Sequence, residues 1–178
     1  MGAFKQPRTV LLALGNLIRS DDGVGVHALA LLERDPRVPP EVTLVEGGTK
    51  GLELLPFVFG VARLLVLDAV DVGAAPGKIV RITGQDLSTL PGSGSVHELA
   101  LADILNALRI MGQQPQETVL LGVQPASTEL GTSLSPPIRV ALLDLVEAAI
   151  RELVRWNCFA RCRLGTGEDA AEVRVVSE

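Results

Sequence analysis

The sequence predicts an α/β fold of three layers (α/β/α), in which helices cover both faces of a mostly parallel, twisted sheet. Three continuous apolar runs are typical of strands buried on both faces: Thr9–Leu14, Leu64–Leu67 and Thr118–Val123. Helical segments separate these runs along the chain, as in βαβ units. The segment Lys78–Thr83 instead alternates polar and apolar residues, which predicts one half-exposed antiparallel strand at an edge of the sheet.

In the first half of the chain, turn and helix signals follow each predicted strand. Gly15-Asn16 ends the first strand, and the polar loop Arg19–Gly23 leads into a helix from Val24 to about Glu33. Three prolines then prevent this helix from continuing. Val42–Val45 is predicted as the second strand, after which Thr49 is placed to cap a short helix.

The second half of the chain predicts two longer helices. Leu87–Ser95 is expected to be a loop, and the S-x-x-E pattern of Ser95–Glu98 marks the start of a helix. Pro136-Pro137 opens a last helix that runs from Ile138 to about Trp156. The expected apolar stripe of this helix consists of Val140, Leu143, Val146, Ile150 and Val154.

Length and composition predict a single domain. The chain has 178 residues, of which 47% are hydrophobic, and its mean hydropathy is +0.35. This is ample apolar material for a core and excludes a disordered chain. We expect one domain over residues 1–178, with a core from about 9 to 156 and a loose tail at 157–178.

Charge and residue types exclude several classes of partner. The net charge is −5 and the isoelectric point is near 5.1, whereas nucleic-acid binding needs a basic face. No apolar run approaches the roughly 20 residues that cross a bilayer. Cys158 and Cys162 are too few for a disulfide framework and are expected to be reduced. We therefore expect a soluble cytoplasmic protein whose partners include neither nucleic acid nor membrane.

The predicted strand order places several polar residues at one crevice. Right-handed crossovers put the second and third strands on opposite sides of the first, so the order begins 2-1-3. Ligands of open α/β sheets bind where the carboxyl ends of the strands flank such a switch point. The loop after the first strand brings Asn16, Asp21 and Asp22 to this crevice, and the third strand brings Asp68 and, slightly beyond its end, Asp71. His97 reaches it if Lys78–Thr83 folds back as a hairpin beside the third strand.

These side chains suit a transition metal. His97 lies in the predicted first turn of a helix, where the helix dipole disfavours the charged imidazolium and leaves a neutral ligand. Two carboxylates and one imidazole favour zinc, nickel or cobalt over calcium or magnesium.

Each residue also has a plainer explanation. Ser20, Asp21 or Asp22 is suited to cap the following helix, and Asp68 to accept hydrogen bonds from loop amides. His97 is equally consistent with a polar residue of a first helical turn, and His27 with a structural or surface position. Standard motifs for dinucleotide or phosphate binding, a nucleophile elbow and zinc peptidases do not occur in the sequence.

Taken together, these segments resemble the hydrogenase maturation endopeptidases, which trim the large subunits of nickel–iron hydrogenases. The resemblance runs from about Thr9 to Trp156, in order and with similar spacing. The matching segments are Leu14-Gly15-Asn16, Asp21–Gly25, Gly47-Gly48-Thr49, Leu67-Asp68-Ala69, His97 with Leu101-Ala102-Asp103, and Leu121–Pro125.

The resemblance implies that Asp22, Asp68 and His97 are both the catalytic and the metal-contacting residues. Ala13 stands where the family often has glycine, and Asp22 stands where many members have glutamate. The shorter Asp22 side chain leaves open whether this residue or Asp21 contacts the metal.

The resemblance also implies the reaction. The enzyme is expected to cleave a carboxy-terminal extension from the large-subunit precursor after nickel insertion. The nickel is expected to arrive with the substrate, so no permanently bound cofactor is implied, and the protein is expected to be a monomer.

Two other functions fit the same three residues. One is a hydrolase of small substrates that holds its own zinc, and the other is a nickel-binding maturation module that cuts nothing. The apolar segment Leu54–Ala62 is a candidate docking face for a partner, although core packing explains it as well.

Overall fold

The computed structural model describes residues 8–84, Leu87 and residues 96–164, with side chains for 8–84, Leu87 and 100–156. The strands are β1 (Thr9–Leu14), β2 (Val42–Gly48), β3 (Arg63–Ala69), β4 (Ile79–Thr83) and β5 (Glu117–Val123). The α-helices are α1 (Val24–Leu32), α2 (Leu55–Val58), α3 (Val96–Ile110) and α4 (Pro136–Leu164). Short 3-10 helices at Ser20–Gly23 and Leu52–Leu54 precede α1 and α2.

The five strands form one sheet in the order β2-β1-β3-β5-β4. All neighbours are parallel except β4, which runs antiparallel to β5 at one edge. The predicted mostly parallel sheet, its 2-1-3 order and its antiparallel edge strand are thereby confirmed. The expected hairpin beside β3 is wrong, because β5 lies between β3 and β4. The long-range pairing of β3 with β5 therefore prevails over the short β3–β4 connection.

Helices cover both faces of the sheet, which confirms the three layers. On one face α1 and α4 pack against the alternate side chains Leu11, Leu65 and Leu121. On the other face α2 and α3 pack against Leu12 and Val66. Because successive side chains of a strand point to opposite faces, each central strand contributes to both halves of the core.

The last helix differs from its prediction in face and length. Val140, Leu143 and Val154 of the expected stripe are exposed, whereas Val146 and Ile150 are buried. The buried face also contains Ile138, Ala141, Leu145, Ala149, Leu153 and Trp156. Two alanines belong to this face, so a pattern based on large side chains alone selects the wrong stripe. The helix continues to Leu164, past the expected end at Trp156.

Other predicted details have mixed outcomes. The short helix before β3 forms, but its first residue follows Gly51, and Thr49 does not cap it. Most of the predicted Leu87–Ser95 loop, the cap residue Ser95 and residues 165–178 lie outside the described residues. Within the part of the chain that is described, no helix is both long and apolar enough to cross a membrane.

Candidate active site

The candidate site lies where the carboxyl ends of β1 and β3 meet. Both strands run in parallel and pair directly, and the chain leaves β1 toward β2 on one side before it crosses to β3 on the other. This is the switch point that the 2-1-3 order predicts. The 3-10 helix Ser20–Gly23 contacts β3, so the loop after β1 lies against the neighbouring strand.

A glycine allows α1 to approach the carboxyl ends of β1 and β3. A β-carbon at Gly25 would overlap the carbonyl oxygens of Leu14 and Leu67, which end or nearly end β1 and β3. The first turn of α1 therefore touches both strands through its backbone. Sequence reasoning noted Gly25 only within the family pattern and gave it no role in the packing.

A second glycine forms the turn between β1 and the acidic 3-10 helix. Gly15 has a φ of +129°, and a β-carbon there would overlap the carbonyl oxygen of Asp22. Its amide donates a hydrogen bond of 3.0 Å to the carbonyl of Gly48 at the end of β2. Only glycine fits such a conformation and such a close approach, so Gly15 brings Asp22 back onto the end of β1.

Asp22 is a buried carboxylate held by its own loop. It is 6% exposed, and its Oδ2 accepts a hydrogen bond of 3.1 Å from the amide of Asn16. The Asn16 side chain in turn accepts a hydrogen bond from the amide of Ile18. This network fixes the loop around the carboxylate.

Asp68 is a second buried carboxylate, on the neighbouring element. It is 1% exposed and lies within β3, in register with Gly122 of β5. Its Oδ1 accepts a hydrogen bond of 2.8 Å from the amide of Ala69. The structure thus places Asp22 and Asp68 on two elements that contact each other at the carboxyl-terminal end of the sheet.

Asp21 has a different environment from Asp22. It is fully buried, and its carboxylate accepts four hydrogen bonds, all from residues of the connection between β5 and α4. Neither Ser20 nor either aspartate caps α1, because the helix begins after Gly23 without a side-chain cap. The capping alternative is therefore wrong for all three residues.

His97 lies in the first turn of α3, on the face of the sheet opposite α1. Its backbone is described, whereas its side chain falls outside the described side chains. His27 is half-buried in α1. Among the described residues, no three His, Cys, Asp or Glu side chains form a group that could hold a metal ion.

Asp71 and Gln124 have structural roles near the site. The Gln124 side chain accepts hydrogen bonds from the amides of Val72 and Ala74 and donates one of 3.0 Å to Asp71. The bond from Gln124, followed by one from the Gly73 amide, lowers the pKa of Asp71. These bonds tie the turn after β3 to the end of β5.

Apolar side chains are exposed beside the loop Arg19–Gly23, hereafter the acidic loop, which contains Asp21 and Asp22. Leu17 and Ile18 precede it, and Leu130 lies on the connection that pairs with it through Arg19 and Gly131. In the predicted docking segment Leu54–Ala62 the aliphatic residues are largely buried. Phe57 and Phe59 are exposed there.

Chemically, two buried carboxylates at the end of a parallel sheet offer oxygen ligands for a cation or a base for water. Each carboxylate accepts a hydrogen bond from a backbone amide, which offsets part of the cost of burying its charge.

Comparison with known proteins agrees with this geometry. The family model described as hydrogenase maturation protease (HycI) matches residues 26–152. The hydrogenase expression/formation protein HupD of Rhodobacter capsulatus is 35% identical over 160 residues, which are 88% of this chain and 76% of that protein. The hydrogenase 2 maturation protease of Escherichia coli is 35% identical over 150 residues, which are 82% of this chain and 92% of that protein.

Solved structures show the same fold. The hydrogenase maturating endopeptidase HybD from E. coli superimposes with a TM-score of 0.76 at 33% identity, covering 82% of this chain and 93% of that one. The [NiFe] hydrogenase maturation protease HybD from Thermococcus kodakarensis gives 0.68 at 25% identity, covering 82% and 99%. With the family model across most of its length and relatives about one-third identical over most of both chains, the chain belongs to the hydrogenase maturation protease family and is an endopeptidase.

Proposed function

We propose that this endopeptidase removes the carboxy-terminal extension of a nickel–iron hydrogenase large-subunit precursor after nickel has been inserted. The observation that carries the proposal is the pair of buried carboxylates, Asp22 and Asp68, on contacting elements at the carboxyl ends of β1 and β3. Membership of the hydrogenase maturation protease family supplies the class of substrate.

The nickel in this proposal belongs to the substrate. Asp22, Asp68 and His97 would contact it and thereby hold the precursor with its scissile peptide in the crevice. Carboxylate and imidazole are suitable ligands for nickel. His97 enters on the family resemblance and on its place in the first turn of α3.

Hydrolysis then requires a polarised carbonyl and an activated water. The substrate's nickel would act as a Lewis acid on the carbonyl, and the carboxylate of Asp22 or Asp68 would act as a general base on the water. The carboxylate takes a proton from the water as the water oxygen adds to the carbonyl carbon, and it gives this proton to the leaving amine as the peptide C–N bond breaks. The products are the trimmed large subunit and the free extension.

The direct test mixes the purified protein with precursor, with and without nickel, and measures product mass. We expect a loss of mass equal to the extension, only with nickel-loaded precursor. Asp68→Ala and His97→Ala should abolish processing while circular dichroism and melting temperature show a folded protein. His27→Ala is the matched control, since this half-buried histidine of α1 lies outside the proposed site, and it should cleave at the wild-type rate.

Metal analysis of the purified protein separates the alternatives. Zinc bound tightly at one ion per chain would support a zinc hydrolase instead. Nickel binding without any change in precursor mass would support a maturation module that does not cut. Full activity of both Asp68→Ala and His97→Ala would refute the site.

We further propose that the protein acts as a monomer in the cytoplasm, with neither nucleic acid nor membrane as partner. The net charge of −5 supports the absence of a nucleic-acid partner, because it opposes binding to polyanions. Sedimentation of the purified protein, alone and with precursor, tests the monomer and a one-to-one complex.

A further inference from the structure

We propose that Asp21 is a positioning residue, which holds the acidic loop against the β5–α4 connection and thereby fixes the Asp22 carboxylate. The inference rests on the proposed function for its catalytic consequence. Its structural basis is the set of bonds made by the Asp21 side chain.

The Asp21 carboxylate joins two segments that are more than one hundred residues apart. Its Oδ2 accepts hydrogen bonds from the amides of Ala126, at 2.9 Å, and Ser127, at 3.0 Å. The hydroxyl of Ser135 donates to the same oxygen at 2.8 Å, and the Ser135 amide donates to Oδ1 at 2.6 Å. Four donors converge on one fully buried carboxylate, which satisfies the charge that burial would otherwise penalise.

The start of α4 contributes to this environment. Ser135 precedes the helix, and its carbonyl accepts hydrogen bonds from the amides of Ile138 and Arg139. The positive end of the dipole of a long helix therefore points toward Asp21. Pro136 and Pro137 have no amide hydrogen, so the donor at this helix end that serves Asp21 is Ser135.

Backbone hydrogen bonds run alongside the carboxylate. The Ser20 amide donates to the carbonyl of Gly131 at 2.8 Å, and the Gly131 amide donates to the carbonyl of Ile18 at 3.0 Å. The Asp21 amide donates to the carbonyl of Ser127 at 3.2 Å. These backbone bonds join residues 18–21 to residues 127–131, and the buried Asp21 side chain adds further hydrogen bonds between the same two parts of the chain.

These bonds of Asp21 act on Asp22 through a rigid turn. Asp22 is the next residue in the 3-10 helix, its amide donates to the carbonyl of Arg19, and its carbonyl lies against Gly15. The Asn16 amide then holds its carboxylate. Because Asp21 fixes one side of this turn and Gly15 the other, the direction of the Asp22 side chain depends on both.

The test compares wild type with Asp21→Asn, which keeps the size of the side chain but places amide hydrogens toward the donors. We expect turnover of nickel-loaded precursor to fall about 100-fold, with KM changing much less. Hydrogen exchange of the Asn16 amide should become faster, because its acceptor, Asp22, is no longer held in place. A purely structural role would lower the melting temperature and leave both the turnover of the folded fraction and the Asn16 exchange rate unchanged.

A serine pair supplies the matched control. Ser135→Ala removes a hydroxyl that donates to Asp21, and we expect turnover to fall about tenfold. Ser127→Ala removes a hydroxyl in the same connection that accepts a hydrogen bond from the Glu129 amide, and it should cleave at the wild-type rate. If Asp21→Asn does not fold, equal activity of Ser135→Ala and Ser127→Ala overturns the inference, and a selective loss in Ser135→Ala supports it.

The outcomes also distinguish this inference from the proposed function. A wild-type protein that cleaves precursor while folded Asp21→Asn cleaves equally fast overturns the positioning role alone. A wild-type protein that does not cleave overturns the proposed function. The exchange rate of the Asn16 amide then decides the positioning role, which is refuted if Asp21→Asn leaves that rate unchanged.

Discussion

Gly25 and Leu67 touch through their backbones, because a β-carbon at position 25 would overlap the carbonyl oxygen of Leu67. This contact seats the first turn of α1 on the end of β3, one residue before Asp68. The acidic 3-10 helix directly precedes α1 in the chain, so the same contact determines how far Asp22 stands from the sheet.

Replacement of this glycine should displace the helix. Gly25→Ala is expected to cost about 3 kcal/mol in the free energy of unfolding and to lower precursor processing, because neither carbonyl can move without breaking a strand. Denaturant unfolding and the cleavage assay measure both effects. Gly73→Ala is the control: its β-carbon would meet open space at a φ of +69°, so it should cost only about 1 kcal/mol. Equal losses in the two variants would contradict the close contact.

The length and charge of the residue at position 22 can be varied separately. Asp22→Glu keeps the carboxylate and adds one methylene, and we expect it to process precursor more slowly than wild type but faster than Asp22→Asn, because the charge is kept while the carboxylate is displaced. Asp22→Asn keeps the size and the Asn16 acceptor but loses the charge, and we expect a loss of about 100-fold or more. Initial rates of product formation test this pair, and an active Asp22→Asn would remove this residue from the chemistry.

The face of α4 can be tested with two leucines. Leu145 is fully buried, whereas the side chain of Leu143 is 63% exposed. Leu145→Ala should lower the free energy of unfolding by about 3 kcal/mol, whereas Leu143→Ala should change it by less than about 0.5 kcal/mol. Urea titration of both variants checks the prediction, which fails if the exposed leucine is the costlier one to truncate.

Stability at low pH should depend on an ion-pair network between α4 and the sheet edge. Burial raises the pKa of Glu152, but hydrogen bonds from Arg81, at 2.6 Å, and Arg155 outweigh it and lower the pKa overall. A lowered folded pKa means that the pair stabilises the protein above the ordinary glutamate pKa, about 4.3. This stabilisation is lost as the pH falls through the folded pKa.

Glu152→Gln should therefore reduce stability at pH 7 by about 1 kcal/mol, a modest value because Arg81 is half exposed and screened by solvent. Between pH 5 and about pH 3, the stability of Glu152→Gln should fall less steeply than that of wild type. Thermal melts across this range measure the slope. Glu53→Gln, at an exposed site, should follow the wild-type curve, and a Glu152→Gln curve parallel to wild type would contradict the assignment.

Local patterns predicted the central strands because each carries an unbroken apolar run. Thr9–Leu14 matches β1 from end to end, and Thr118–Val123 misses only the first residue of β5. The position of β4 was not predictable from its own residues. A short connection after β3 favours a hairpin of β3 with β4, and nothing in the residue pattern of Lys78–Thr83 indicates that this strand pairs with β5 instead. The close fit of β4 is visible at Gly122 of β5, where a β-carbon would lie 3.2 Å from the side chain of Val80 in β4.

The difference between Asp21 and Asp22 also lay beyond the sequence. Two adjacent acidic residues share every local feature, and the partners that distinguish Asp21 follow it by 105 to 114 residues. It was predictable that Asp22 and Asp68 lie on elements that contact each other, because strand order alone brings those elements together. The contribution of His97 to that crevice stays a prediction.

The place of β5 between β3 and β4 has a consequence for synthesis of the chain. The ribosome releases β4 before the strand with which it pairs. Until residue 123 has emerged, β1, β2 and β3 can pair with one another, whereas β4 and α3 lack β5, against which both pack. The final closure of the edge therefore joins an early segment to a later one, and β3 stays without its β5 neighbour until then.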